Sequence, residues 1–420
     1  MTRASETVIV IGGGPAGLMA AERISARGLP VVVHERMPSV GRKFLMAGRG
    51  GLNLTHSEAI EGFVGRYGEK SDWMRALIER FPPSALVAWA EGLGQETFTG
   101  SSGRIFPKVM KASPLLRAWL RRLEAQGVSI RTGSAWEGFD VDGGFVFQGH
   151  DGTRSVERPL ACVLALGGAS WPRLGSNAAW VPWLAGRGVK VHAFRPSNAG
   201  FDVAWSALFA GRFAGTPLQG AAYHFGGEVV RGESVVTQYG LEGGAIYALS
   251  RRLRSAIEAD GVAQLAVDLR PGMNLAEVRQ RLSRPRGGDS VSNHLRKALH
   301  LAPVGINLLR ECFGAQLAQD PDVLATQVKH AVVRLTGVQG LARAISSAGG
   351  VDVDELDDGL MLRKLPGVFV AGEMIDWEAP TGGYLLQACF ATGVAAGEGV
   401  LARIGLPARA APSVRTYSPR

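Results

Sequence analysis

Three glycines near the start of the chain have the spacing that a dinucleotide pyrophosphate requires. Gly12, Gly14 and Gly17 fit the pattern G-x-G-x-x-G, and Pro15 and Ala16 lie between the last two. Glycines at these positions permit a tight turn, a close approach of phosphate to the backbone, and close packing of the helix that follows. The free N–H groups and the positive dipole end of that helix would face the phosphates. The spacing therefore predicts a nucleotide-binding turn.

Glu35 completes this motif as an acid placed to accept hydrogen bonds from an adenosine ribose. The elements that must position it are a buried apolar strand at 7–11, a helix after Gly17 and a second strand at 29–35. Together they predict a Rossmann-like unit and leave NAD and FAD both open. Glu35 argues against a 2′-phosphate, although the neighbouring Arg36 weakens that argument.

Polar residues in three further segments are candidates for contacts with the same ligand. The segment 41–56 is rich in glycine and predicts a long loop whose amides and cations suit a pyrophosphate and the carbonyl edge of a flavin. Two predicted buried strands end in glycine, and a Thr-Gly-Gly turn precedes a helix at 385–401, where N–H groups and dipole could meet an anionic group. The candidates are Gly41, Arg42, Lys43, Asn53, Gly167, Gly168, Gly372, Glu373, Thr381, Gly382, Gly383 and Tyr384.

The chain of 420 residues is long enough for about two or three domains. Hydrophobic periodicity predicts an α/β fold in which residues 1–190 and 346–420 form one discontinuous Rossmann-like domain. Residues 191–345 are predicted to be an insertion, mostly β over 191–270 and mostly helical over 271–345.

Composition limits the remaining classes of function. The three cysteines are isolated in apolar surroundings, and the histidines show no metal-ligand spacing, so we expect neither disulfides nor a metal site. Without a signal peptide or an apolar run of about 18 residues, we expect a cytoplasmic protein with no membrane span. The net charge is +9, but its basic residues are dispersed and do not predict a nucleic-acid partner.

With these pieces in place, the chain resembles the two-dinucleotide-binding-domain flavoproteins and, more closely, the HI0933-like family, also called BaiN-like or YhiN-like. The resemblance covers nearly the full length. It rests on the Gly12–Gly17 turn with Glu35, on Gly41-Arg42-Lys43, Asn53 and Thr55, on Gly167-Gly168-Ala169-Ser170 with Pro172, Gly175 and Ser176, on Gly349-Gly350-Val351, and on Ala371-Gly372-Glu373 with Asp376, Pro380-Thr381-Gly382-Gly383-Tyr384 and Gln387.

The resemblance implies a non-covalently bound FAD. Its adenosine would lie at Glu35, its pyrophosphate at the first turn, and its isoalloxazine between the 41–56 loop and the 380–384 turn. Thr55 would belong to the same site, and the insertion would be a β-barrel with a small helical subdomain. Leu52 stands where the family commonly has cysteine, and 237–244 also departs from the family pattern. These differences indicate a divergent subfamily.

The chemistry stays open among three alternatives. The first is an FAD-dependent oxidoreductase that reduces an unsaturated or carbonyl small molecule with NAD(P)H, which would dock transiently because no second intact G-x-G-x-x-G is present. The second is an oxidase or dehydrogenase of a small amine or hydroxy acid, and the third is an RNA-associated flavoprotein.

Tyr239 and Glu242 are the preferred catalytic pair, with His56 and Asp376 as other titratable candidates. A structural role for Tyr239 and Glu242, capping a barrel turn, is the competing interpretation. Neither the substrate nor the oligomeric state is predicted.

Overall fold

The computed structural model describes residues 6–406. The chain divides into two compact units, unit 1 (Met1–Arg195 with Ser346–Arg420) and unit 2 (Pro196–Ile345). The predicted insertion covers residues 191–345. Unit 2 therefore begins a few residues later than predicted and ends at the predicted residue, Ile345. Each unit has its own hydrophobic core.

The strands and helices follow one another along the chain as follows. The strands are β1 (Val8–Ile11), β2 (Val31–Glu35), β3 (Thr55–His56), β4 (Thr97–Thr99), β5 (Arg104–Pro107), β6 (Ser129–Thr132), β7 (Ala135–Phe139), β8 (Phe145–Gln148), β9 (Arg154–Glu157), β10 (Ala161–Leu164), β11 (Val191–Ser197), β12 (Phe201–Asp202), β13 (Pro217–Phe225), β14 (Glu228–Val236), β15 (Gly240–Glu242), β16 (Ala263–Asp268), β17 (Ala331–Leu335), β18 (Gly337–Val338), β19 (Ser346–Val351) and β20 (Val368–Val370). The α-helices are α1 (Pro15–Ser25), α2 (Arg42–Ala47), α3 (Ile60–Gly65), α4 (Ser71–Arg80), α5 (Pro83–Glu91), α6 (Ala112–Ala125), α7 (Val181–Ala185), α8 (Ala207–Phe213), α9 (Gly244–Asp260), α10 (Leu275–Leu282), α11 (Val291–Leu299), α12 (Pro303–Phe313), α13 (Pro321–Lys329) and α14 (Tyr384–Arg403).

A five-stranded parallel sheet in the order β20-β10-β1-β2-β6 is the centre of unit 1. Parallel strands end at the same edge of a sheet, and α/β proteins bind ligands at that edge. The Gly12–Gly17 turn after β1, Gly167-Gly168 after β10 and Gly372-Glu373 after β20 therefore meet at one edge. The remaining strands of this unit lie in two short antiparallel sheets, β3-β5-β4 and β7-β8-β9, and in the β11-β19 pair.

Helix α14 packs against α1, and glycine makes the close approach possible. A Cβ added at Gly393 would collide with the carbonyl of Ala16, and one added at Gly397 would lie 2.9 Å from Cβ of Arg23. The glycines in the sequence of this helix, at 393, 397 and 399, predict tight packing, and these contacts confirm it. Among residues 6–406, α14 is the one helix long and apolar enough to cross a membrane, with a mean hydropathy of 1.4, but 72% of that window is buried inside the protein.

Unit 2 contains a seven-stranded antiparallel sheet in the order β17-β16-β13-β14-β15-β12-β18. The outermost strands of this order are consecutive in sequence, since β17 ends at Leu335 and β18 begins at Gly337. The two edges must therefore meet at Thr336, and the sheet forms a nearly closed barrel. Helices α10 to α13 form the helical part, so the predicted barrel with a small helical subdomain is confirmed.

Two local predictions are wrong. Residues 42–47 form helix α2 within the segment predicted to be a loop, because five of these six residues, all except Phe44, are good helix formers and Gly41 enters the helix from a left-handed conformation (φ 69°). The Ser113-Pro114 pair predicts a helix with Ser113 as its N-cap and Pro114 at its first position, but helix α6 begins at Ala112. Pro114 is tolerated within the first turn, where its missing N–H costs no helical hydrogen bond.

Candidate active site at the carboxyl edge of the parallel sheet

The three fingerprint glycines have three different environments. Gly12 adopts φ 110°, and a Cβ there would collide with the carbonyl of Ala165; a Cβ at Gly17 would collide with the carbonyl of Gly12. A Cβ added at Gly14 meets no atom of the described part of the chain within 4 Å. Gly12 and Gly17 thus serve the turn and the packing, whereas Gly14 leaves open space beside the first turn of α1. The N–H groups of that turn have no helical acceptor and can bind phosphate oxygens.

Glu35 is fastened to the same turn by two backbone hydrogen bonds. Its Oε2 accepts from the N–H of Gly13 (2.9 Å) and its Oε1 from the N–H of Met37 (2.8 Å). Burial raises the pKa of Glu35 above its ordinary value, against the effect of these two bonds. Each carboxylate oxygen keeps a second acceptor position, so the side chain can still bind ribose hydroxyls. The neighbouring Arg36 is exposed and makes a long contact to the carbonyl of Pro172 (3.5 Å).

Three buried polar atoms near this edge have no hydrogen-bond partner among residues 6–406. They are Nε of Arg42, Oδ1 of Asn53 and Oγ of Ser176. Buried polar groups are almost always paired in proteins, so these atoms are candidates for bonds to a ligand. Arg42 and Asn53 belong to the predicted site. Ser176 was part of the family motif without an assigned role; its position directly after Gly175, in the same motif as the Gly167-Gly168 pair, was the available signal.

Gly167 and Gly168 pack closely within the site. A Cβ on Gly167 would lie 2.9 Å from Oγ of Ser176, and one on Gly168 would collide with Oγ of Ser347. The carbonyl of Gly167 accepts a hydrogen bond from the indole of Trp180 (3.0 Å). These glycines let the segment after β10 pass against β19.

Lys43 and Glu373 form an ion pair at this edge (2.6 Å). Both were predicted to contact the cofactor, and the structure shows that they contact each other. No motif or spacing in the sequence predicts this pairing.

The Thr381–Tyr384 turn lies against the end of the 41–56 segment. Gly383 adopts φ 101°, and a Cβ there would lie 2.5 Å from Cα of Thr55, while Gly382 also has positive φ (132°). The hydroxyl of Thr55 donates to Gln387 (2.8 Å), and the hydroxyl of Tyr384 donates to the carboxylate of Glu58. The two predicted flavin-flanking segments are thus adjacent, but the hydroxyl protons of Thr55 and Tyr384 are engaged within the protein.

Glu58 and Arg66 adjoin the predicted Tyr384 and were not predicted from the sequence. Arg66 donates two hydrogen bonds to Glu58, at 3.2 and 2.8 Å. Burial and the Glu58 charge raise the pKa of Tyr384 well above its ordinary value, so its phenol stays protonated. No motif pointed to this pair, because Glu58 and Arg66 lie in ordinary surface-type sequence.

His56 and Asp376 are committed to structural contacts. Nδ1 of His56 accepts from the N–H of Glu58 (3.1 Å), and Nε2 lies 2.9 Å from the carbonyl of Ser102. With Nδ1 as an acceptor, Nε2 is the ring nitrogen that donates to the Ser102 carbonyl. Asp376 accepts from the N–H of Gly349 (3.1 Å) and lies 3.5 Å from the Lys70 ammonium. These contacts occupy both ring nitrogens of His56, whereas the Asp376 carboxylate keeps acceptor positions beyond its bond to Gly349.

The predicted pair Tyr239 and Glu242 lies in unit 2, where β14 turns into β15. The phenol of Tyr239 donates to the carboxylate of Glu242, and the Arg343 guanidinium stands over the ring, 5.4 Å from its centroid. Burial, followed by the Glu242 charge, raises the pKa of Tyr239 to about 12. The N–H of Thr237 closes the turn on the carbonyl of Gly240 (2.8 Å), so the pair also caps a hairpin.

The Rossmann-like sheet, the open fingerprint turn and the inserted barrel define a flavoprotein oxidoreductase. The chain belongs to the family described as HI0933-like protein Rossmann domain, whose model matches residues 6–399. It is 27% identical to a 3-dehydro-bile acid delta(4,6)-reductase of Clostridium scindens, over 94% of this chain and 98% of that protein. It is 24% identical to a ribosomal RNA dihydrouridine synthase of Escherichia coli K12, over 94% and 98%.

A flavocytochrome c3 fumarate reductase in its open conformation has a similar fold. The TM-score is 0.54 at 17% sequence identity, over 96% of this chain and 79% of that one. At this identity the likeness concerns the fold alone.

Proposed function

We propose that the protein reduces a C=C bond conjugated to a carbonyl group in a small molecule, using non-covalently bound FAD and NAD(P)H. One observation supports this most strongly. Two relatives that align with nearly the whole chain have names describing different substrates, a bile acid and an RNA, but the same change, addition of hydrogen across a ring double bond. The shared framework is thus suited to that reaction.

The residues at the sheet edge fit FAD. The open space at Gly14 and the N-terminal amides of α1 would hold the pyrophosphate, and Glu35 the ribose. FAD would provide hydrogen-bond partners for three buried atoms that have none among residues 6–406: Nε of Arg42, Oδ1 of Asn53 and Oγ of Ser176. The bound cofactor would supply hydride transfer from the nicotinamide to the substrate.

Tyr239 is our proposed proton donor: its hydroxyl, which donates to Glu242 in the structure, would turn to the substrate, with Glu242 and Arg343 as its supports. A phenol with a pKa near 12 stays protonated at neutral pH and can give its proton to the strongly basic enolate that hydride addition to an enone creates. The Arg343 guanidinium over the ring would stabilise the phenolate that results.

The three free cysteines are in keeping with a cytoplasmic location, which we also propose.

An RNA substrate is the second candidate. It is favoured by the similarity to the ribosomal RNA dihydrouridine synthase and by exposed basic residues in the segment 279–297. Arg284 and Arg296 there have no ion pair with any residue of 6–406. The oxidation of an amine or hydroxy acid has no comparable support.

Anaerobic flavin reduction tests the proposal. The purified protein should contain about one FAD per chain, released intact by denaturation, and NADH or NADPH should bleach its flavin absorbance. The reduced enzyme should then be reoxidised by cyclic enones. Recovery of FMN, or of a colourless protein that FAD does not reconstitute, would refute the cofactor. Reoxidation by ribosomal RNA fragments and not by enones would favour the second candidate.

A further inference from the structure

A polar cleft of unit 1 lies where the carboxyl ends of β2 and β6 meet the hairpin between β8 and β9. Its volume is about 400 Å³, which is enough for a small organic molecule. None of the residues predicted to bind the cofactor lines this cleft, and the proposed function gives it no role. It contains a hydroxyl, an imidazole, a carboxylate and a guanidinium, from Ser134, His34, Glu157 and Arg131.

Three of these groups stand in a row. The hydroxyl of Ser134 is 2.8 Å from Nδ1 of His34, and Nε2 of the same ring is 3.4 Å from Oε2 of Glu157. The first contact is a hydrogen bond. The second is longer than a good hydrogen bond, so it is an electrostatic contact between ring and carboxylate. A nucleophile beside a base that a third group orients is the arrangement that activates a hydroxyl.

The proton positions on the His34 ring follow from the Glu157 charge. Contact with His34, and then with Arg131, lowers the pKa of Glu157 below its ordinary value against the effect of burial, so the carboxylate is ionised at neutral pH. A lone pair on Nε2 would face this negative charge, so Nε2 carries a proton. In the neutral ring Nδ1 is then the acceptor, and the Ser134 hydroxyl donates to it.

Packing holds the His34 imidazole in this orientation. The residue is 2% exposed, and its ring stacks on Phe147 with centroids 3.9 Å apart and planes inclined by 18°. The backbone holds Ser134, because its N–H donates to the carbonyl of Glu35 (3.0 Å) and it follows Gly133, whose φ is 65°. Both partners of the hydrogen bond are therefore placed by the fold before a substrate binds.

Arg131 supplies the positive charge that an acyl-transfer site needs. It is the register partner of His34 in the parallel sheet, and its Nη1 donates to Oε1 of Glu157 (2.7 Å). A guanidinium has five N–H donors, so several remain for the oxygen of a bound ester. Such donors stabilise the negative oxygen of a tetrahedral intermediate, as the amides of an oxyanion hole do.

We propose that this cleft is a second active site, which hydrolyses a small carboxylic ester with Ser134 as the nucleophile. The Ser134 oxygen bonds to the carbonyl carbon while its proton passes to Nδ1 of His34. That proton then goes to the departing alcohol as its C–O bond breaks. Water, deprotonated by the same nitrogen, cleaves the acyl-serine and releases the carboxylic acid. Glu157 is a positioning residue, and the reaction uses no flavin.

Hydrolysis of p-nitrophenyl acetate by the purified full-length protein, followed by nitrophenolate absorbance, tests the proposal. Ser134→Ala removes the nucleophile, and His34→Asn keeps an acceptor that cannot take up a proton. Each should lower kcat about 10²-fold. Ser155→Ala is the matched control, since it removes a hydroxyl from the same cleft and should hydrolyse the ester at the parental rate.

Glu157→Gln distinguishes a positioning role from a structural one. It should lower kcat about 10-fold with KM unchanged, because Glu157 does not touch the ester, and Glu157→Asp should recover part of the loss. An acetyl group trapped by acid quenching and located on Ser134 by mass spectrometry identifies the nucleophile. Thermal unfolding shows that each variant is folded, and the half-buried Ser134→Ala decides the question if His34→Asn does not fold.

Parental hydrolysis in Ser134→Ala, or an acetyl group on a different residue, would overturn the second active site. A parent protein that hydrolyses the ester no faster than Ser134→Ala would overturn it as well. Parental kcat in Glu157→Gln would remove Glu157 from the mechanism. Absence of FAD binding or of enone reduction would refute the proposed function and leave this inference standing.

Discussion

The hydroxyl of Thr55 donates a hydrogen bond to Oε1 of Gln387 (2.8 Å), and both side chains are fully buried. The amide nitrogen of Gln387 donates in turn to the carbonyl of Phe81 (2.6 Å). One glutamine in the first turn of α14 therefore holds the end of the 41–56 segment and the junction between α4 and α5. The wall of the proposed flavin site depends on this buried pair.

Thr55→Val should destabilise the apoprotein by about 1–3 kcal/mol, because it leaves a buried acceptor of Gln387 unpaired. Urea unfolding of the apoprotein measures the change. Thr153→Val is the control, since the Thr153 hydroxyl bonds to Asp151 at an exposed turn, and it should change stability by less than about 0.5 kcal/mol. Equal effects of the two substitutions on the free energy of unfolding would show that the buried hydrogen bond contributes no more to stability than the exposed one.

Glu35→Ala should weaken FAD binding by about 1–3 kcal/mol, the usual effect of losing a charge-assisted pair of hydrogen bonds. The loss has two sources, the ribose contact and the support that the carboxylate gives to the N–H of Gly13. FAD titration of the apoprotein is the measurement, with Glu96→Ala on the exposed surface as the control. An unchanged affinity would mean that Glu35 does not bind the ribose.

Tyr239→Phe should leave the FAD content intact and slow reoxidation of the reduced enzyme by substrate about 10²-fold, as expected for loss of a general acid. Flavin reduction by NAD(P)H should be unaffected, since that step requires no acid. Tyr247→Phe is a control in the same unit. Parental reoxidation by a true substrate would show that Tyr239 and Glu242 only cap the hairpin.

Glu242→Gln should change the pH dependence of the same step. Burial and the Glu242 charge both raise the pKa of Tyr239, so in the parent protein the phenol stays protonated until the pH approaches its pKa of about 12. Removing the charge lowers that pKa, and the rate should then begin to fall at a lower pH than in the parent. The pH profile of reoxidation, recorded with tyrosinate difference absorbance, measures the shift. Superimposable profiles would contradict the coupling between the two residues.

Salt dependence distinguishes the RNA alternative. A functional RNA site that neutralises several phosphates releases counterions, so its affinity must fall steeply with salt yet remain measurable near physiological ionic strength. We expect only weak association that vanishes there. Filter binding at two salt concentrations measures it, and Arg284→Ala with Arg296→Ala tests the basic segment. Tight, saturable retention at physiological salt would favour RNA as the substrate.

Much of unit 1 follows from local sequence. The spacing of Gly12, Gly14 and Gly17 and the acid at Glu35 predict strand, turn, helix and strand, because each is determined by backbone conformation and hydrophobic periodicity within a short stretch. The barrel and the helical subdomain were predicted from the family resemblance. Helix α2 was missed because the glycines on either side of it suggested a loop, although five of its six residues favour a helix.

The pairings inside the site were decided by tertiary structure alone. Lys43 and Glu373 are separated by 330 residues, and Thr55 and Gln387 by 332. These two pairings depend on the sheet order β20-β10-β1, which brings the ends of β1, β10 and β20 to one edge. They also depend on the glycine contacts that let α14 pack against α1. The sequence alone predicted a dinucleotide-binding turn at this edge, since the G-x-G-x-x-G motif is local. Which charged side chains face the ligand and which neutralise each other depends on long-range packing, and residue spacing does not encode it.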